Sequence, residues 1–73
     1  MKPKILISRE RTGTHEYIGG RSYNELVRSF IFEDQCLRTS YHRCMTPDGL
    51  LETHALQSPD GENILVHALY PEA

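Results

Sequence analysis

Two Pro-Asp-Gly tripeptides, at 47–49 and 59–61, constrain this chain more than any other feature. Proline sets φ for the second position of a type I turn, Asp suits the third, and Gly accepts the left-handed conformation that follows. That combination predicts three-residue hairpin loops with a G1 bulge. Three consecutive antiparallel strands follow, at about 36–45, 50–57 and 62–70. The register follows as well. Across the first turn, Cys44 should oppose Glu52, His42 should oppose His54, and Tyr41 should oppose Ala55. Across the second, Leu56 should oppose Ile64, His54 should oppose Val66, and Leu51 should oppose Leu69.

Side chains alternate across a strand, so this register predicts two faces. One carries Leu50, Leu56, Ile64, Val66, Ala68 and Tyr70, with Cys44, His42, His54, Ser40 and Glu52 among them. The other carries Leu37, Tyr41, Met45, Leu51, Leu65 and Leu69, with Ala55, Thr39, Arg43, Thr53, Gln57 and His67. The first is richer in β-branched residues and is assigned to the core. A slip of one residue would exchange the faces of a strand.

Upstream, Ser22 followed by Glu25 reads as a capping box. From there Tyr23, Leu26, Val27, Phe30 and Ile31 recur at helical spacing and form one apolar stripe. Phe32 falls off the stripe, and the helix should end within 32–35. Residues 4–9 and 15–18 read as a hairpin around Arg11-Thr12-Gly13, and Gly19-Gly20 leads into the cap. The expected fold is α+β, a small antiparallel sheet packed on one helix in the order ββαβββ, as a single domain over 1–73.

With 73 residues, such a domain buries only about 60% of its extended-chain surface. Typical values per residue give a stability of roughly 4–11 kcal/mol. Self-association is the expected supplement. Cys36 and Cys44 lie too far apart on one strand to bridge, since eight extended residues span roughly 26 Å against the 4.4–6.8 Å of a disulfide. Two free thiols fit a reducing compartment. The N-terminus lacks the apolar stretch of a secretory signal, and no run is long enough to span a membrane. A cytoplasmic location is expected.

Charge is distributed unevenly. Eight basic and five acidic residues through Arg43 leave +3, and five acids with no Lys or Arg beyond it leave −5. Either two charged faces result, or oppositely charged segments lie side by side.

Several residue sets are candidate sites. His42, Cys44 and His54 are the right types for zinc, yet a half-buried histidine pair beside a small apolar cysteine is the simpler reading. Glu52 and His54 form a nominal base–carboxylate pair, but a thin single layer offers little wall for a catalytic pocket. No catalytic residue, metal site or cofactor is therefore expected. Glycine spacing matches no phosphate loop. Arg38 and Arg43, with Tyr41 and His67 to stack on bases, would suit nucleic acid if the basic N-terminal hairpin lay beside them. The leading expectation is a small non-enzymatic protein-binding or regulatory module, self-associating as a homodimer or joining another protein. It would dock through Leu37, Tyr41, Met45, Leu51, Leu65 and Leu69, or through a sheet edge.

Overall fold

The computed structural model describes residues 3–11, 13, 15–18 and 22–71. Thr12 of the expected Arg11-Thr12-Gly13 turn and Gly19-Gly20 before the cap lie outside them. Five strands, β1 (Lys4–Arg9), β2 (His15–Ile18), β3 (Leu37–Thr46), β4 (Gly49–Gln57) and β5 (Asn63–Pro71), surround one helix in the order ββαβββ. They form one antiparallel sheet in the spatial order β2-β1-β5-β4-β3. The α+β fold is as expected.

Helix α1 (Tyr23–Arg28) starts where the capping signal placed it. Ser22 Oγ accepts the Glu25 amide at 3.1 Å, satisfying one of the donors that every helix start leaves unpaired. The helix runs on as a π turn over Ser29–Glu33, closed by the Asp34 amide donating to the Ser29 carbonyl at 3.2 Å. It ends without glycine. Gln35 takes the left-handed conformation, φ 58°, and the Cys36 amide donates back to the Phe30 carbonyl at 2.9 Å. This bond spans one residue more than the long bond of a Schellman closure, as the π turn before it requires. Of the predicted stripe, Tyr23, Leu26, Val27 and Phe30 are buried and Ile31 partly so, while Phe32 is 77% exposed.

Beneath the helix lie Ile5, Ile7, Leu56, Ile64, Val66 and Ala68, all buried. Each large apolar side chain among them contributes roughly 1.5–3 kcal/mol. The β4–β5 register is the expected one, with Leu56 opposite Ile64 and His54 opposite Val66. Its loop has the expected build. The Ser58 amide donates to the Glu62 carbonyl and the Gly61 amide to the Ser58 carbonyl, both at 2.9 Å, and Gly61 has φ +93°.

The β3–β4 register corrects the expectation by one residue. Tyr41, not His42, opposes His54, and Cys44 opposes Leu51 rather than Glu52. The cause lies in the turn. Thr46 pairs with Gly49, its hydroxyl accepting the Asp48 amide at 3.2 Å and donating to the Gly49 carbonyl at 2.8 Å. Only Pro47 and Asp48 remain in the loop. Gly49 is drawn into β4 opposite Pro71, with φ +132° and no room for a Cβ. Its spelling resembles that of the second turn, but here the glycine serves the sheet and not a bulge.

The slip exchanges the two faces of β3, as side-chain alternation requires. Tyr41, Arg43 and Met45 fall on the helix side, aligned with His54, Glu52 and Leu50. His42 and Cys44 fall on the uncovered side. A register shift between Arg38 and Ser40 brings Arg38 to the helix side, opposite Leu56, and leaves Leu37 on the other, opposite Gln57.

The charge asymmetry resolves into neighbouring segments. Arg9 on β1 reaches Glu62 at 3.2 Å, and Arg11 pairs with Asp60 in the β4–β5 loop. The Arg11 amide also donates to Glu62 at 3.3 Å.

Candidate functional site

Two regions stand out: the long edge strand with the aromatic cluster behind it, and the face of the sheet without a helix.

β3 is ten residues long and exposed from Leu37 to Met45, with only Thr46 partly covered. Among the described residues its one sheet neighbour is β4, so its other backbone edge offers hydrogen-bonding groups to any added strand. Leu37 and Met45, near its two ends, are 71% and 65% exposed, and Tyr41 at its centre is 43% exposed.

Behind that strand His54 is buried, 9% exposed. Its ring lies 5.3 Å from Tyr23 and 4.7 Å from Tyr41, tilted by 49° and 46°. Its Nδ1 has no hydrogen-bond partner. Burial pushes the His54 pKa down, Arg38 pushes it the same way, and Glu52 opposes them. Glu52 is engaged elsewhere. It accepts a hydrogen bond from the Tyr41 hydroxyl, which is the main reason its pKa is lowered, and another from Tyr70. The same bond pushes the Tyr41 hydroxyl up. The Tyr23 hydroxyl donates to the Val66 carbonyl at 2.7 Å, and its pKa is raised chiefly by burial.

On the uncovered face, Lys4, Leu6, Leu51, His67 and Leu69 line a shallow depression of about 300 Å³. His67 Nδ1 lies 3.0 Å from the Thr53 hydroxyl.

The expected docking set is therefore split. Leu51, Leu65 and Leu69 lie on the uncovered face, with Leu37 at its margin, while Tyr41 and Met45 lie on the helix side. The candidate zinc set, set aside in favour of a simpler reading, is split as well, since His42 and Cys44 face away from His54. Among the described residues, no group of three His, Cys, Asp or Glu side chains is placed to hold a metal. Glu52 and His54 do share a face, but the carboxylate is bonded to two tyrosines and the imidazole is shielded by two rings.

Of the residues expected for nucleic acid, Arg38, Tyr41 and Arg43 share the helix side of β3 and His67 lies on the opposite face. The basic hairpin does not lie beside them, because β5 and β4 intervene between β1 and β3. Sequence reasoning missed Tyr23 and Tyr70 as members of the cluster. Tyr23 had been assigned only to the apolar stripe, although a buried hydroxyl always needs a partner.

No protein family, no curated protein and no solved structure matches this chain.

Proposed function

We propose that this chain is a small non-enzymatic protein-binding module that self-associates by pairing β3 with β3 of a second copy. The observation that carries this reading is the exposure of β3 along nearly its whole length on both faces. Natural edge strands of this length are normally kept short, interrupted by proline, charged with lysine or covered. β3 has neither proline nor lysine, its only guards are Arg38, Arg43 and the register shift near one end, and its ends carry exposed Leu37 and Met45.

Symmetry narrows the pairing. Two copies related by a twofold axis perpendicular to the sheet must match helix side to helix side. One face-matched register that keeps the arginines apart sets Tyr41 opposite Arg43 of the second copy, with His42 on the axis. A guanidinium against a tyrosine ring is attractive, by about 0.5–1 kcal/mol at an exposed site. The continuous sheet would satisfy the free backbone edge of both copies.

Sedimentation equilibrium tests the reading. The wild type is expected to show a concentration-dependent mass rising to two chains. The double variant L37K/M45K is expected to keep its circular dichroism spectrum and remain a single chain, since both substituted side chains are exposed. A wild-type mass of one chain up to the solubility limit would remove the proposal. Salt-dependent binding of RNA or DNA by that single chain, abolished in R38E/R43E, would instead assign the Arg38–Tyr41–Arg43 face to nucleic acid.

A further inference from the structure

We infer that His54 is a proton-sensitive latch: its neutral ring, clamped between Tyr23 of α1 and Tyr41 of β3, holds the edge strand onto the sheet, and protonation releases that strand. This device stands apart from self-association, because it concerns how β3 is retained within one chain.

The groups around the ring make it a poor place for a positive charge. From α1 it meets Tyr23 and from β3 Tyr41, both through their rings. β3 also contributes Arg38 and Arg43 on the same side, opposite Leu56 and Glu52. Glu52, on β4, is the acid that acts on His54, and its carboxylate is held by Tyr41 and by Tyr70 of β5. Nδ1 is closed off and unpartnered. A proton on Nδ1 would thus be buried without a hydrogen-bond acceptor, which is costly. Ring faces attract cations, but burial at this position outweighs the pull of Glu52 on a positive ring.

Water can reach the ring by moving either of its two covers. Lifting α1 would expose Tyr23, Leu26 and Val27, all buried, and break the Tyr23–Val66 hydrogen bond. Lifting β3 breaks its ladder with β4 and the Tyr41–Glu52 and Thr39–Ala55 bonds, but those groups pass to water. Its residues from 37 to 45 uncover little further apolar surface, because they are already exposed. The cheaper opening is the edge strand, and sub-global openings of this kind belong to the least buried elements.

The sign follows from linkage. The closed state holds His54 below its ordinary 6.5, so the open state takes the proton first as pH falls through that value. Closure is fully favoured above pH 6.5 and weakens from there down to the closed-state value, by up to about tenfold per pH unit.

Amide hydrogen exchange followed by NMR, corrected for intrinsic rates, tests this at pH 7.5 and 5.5. It should be run on the wild type and on L37K/M45K, in which edge pairing does not contribute. The β3 amides are expected to show lower protection than those of β5 at both pH values. They should lose up to about tenfold more at pH 5.5, and H54F should abolish that loss. Protection of β3 that is unchanged with pH, or changes equally in H54F, would overturn the latch. Should H54F fail to fold, the wild type still decides. The loss of β3 protection must begin near pH 6.5 and level off at the midpoint of the His54 ring titration, and a loss outside that window would refute the coupling.

Discussion

Tyr41 and His54 face each other directly across the β3–β4 ladder, with ring centroids 4.7 Å apart. That contact exists because Thr46 pairs with Gly49 and not with Leu50. Had the first turn closed as a three-residue loop, His42 would stand over His54 and Tyr41 would lie on the opposite face. A single turn residue therefore selects which side chains cover the buried histidine.

Gly49 should consequently tolerate no side chain. A Cβ there would lie 2.2 Å from the Tyr70 carbonyl oxygen and 2.9 Å from the Pro71 Cα, both backbone atoms. Gly61 has positive φ too, but a Cβ on it would meet nothing within 4 Å. Gly61→Ala is expected to cost about 1 kcal/mol, the conformational strain alone. Gly49→Ala should cost well over that, about 3 kcal/mol or more, because the β4–β5 backbone must also move. Urea unfolding of the two variants side by side measures the difference. Equal losses would show that the close approach to Tyr70 is unimportant.

These two glycines also mark how far the sequence could be read. The SPDG turn behaved as its residues dictate, so strands, register and faces of β4 and β5 were legible from spacing. The TPDG turn shares the same three residues, yet Thr46 supplies a hydroxyl that accepts the Asp48 amide and holds a tighter loop. Ser58 in the second turn has a hydroxyl as well, and it accepts the Glu62 amide at 3.0 Å, four residues on. Which amide a turn hydroxyl takes depends on how the flanking strands are held, and β5 holds Gly49. The helix, whose stripe and cap are local, was read almost complete. The aromatic cluster was not, because its membership depends on the register of β3.

Tyr23 supplies a second prediction. Its hydroxyl donates to the Val66 carbonyl at 2.7 Å within the buried core, so Tyr23→Phe removes one buried hydrogen bond while changing shape little. The expected loss is about 1–2 kcal/mol. For a domain of this size that lowers Tm by roughly 4–8 °C per kcal/mol. Calorimetry checks it, and an unchanged Tm would mean the bond contributes nothing net.

Gln35 offers the opposite sign. It occupies the left-handed region at φ 58° to close the helix, a conformation that glycine adopts without strain. Gln35→Gly is expected to stabilise the fold by about 0.5–1 kcal/mol, the relief of strain being partly offset by the freer unfolded chain. Chemical denaturation should show a higher midpoint at unchanged slope. A lower midpoint would indicate that the Gln35 side chain contributes more than its backbone costs.

Glu62 links the two ends of the chain and should govern part of the response to acid. Its carboxylate is buried, 7% exposed, and accepts from the Arg9 guanidinium and the Arg11 amide. The Arg9 hydrogen bond is the largest influence lowering its pKa, with the Arg11 bond adding to it against the cost of desolvation. The unfolded chain holds this group near its ordinary 4.5, so unfolding takes up a proton at a pH where the folded protein resists one. The associated stability is complete above pH 4.5 and is lost as pH falls through the lower folded value. In Glu62→Gln the Arg9 pair is weakened, so the variant should be less stable than wild type at pH 7. Its Tm should then fall less steeply below pH 4.5, and the two curves should converge in acid. Thermal unfolding from pH 7 to 2.5 makes the comparison. Parallel curves throughout would place the acid sensitivity elsewhere, with Asp60 the next group to test, since Arg11 and Ser58 both bond its carboxylate and hold its pKa down.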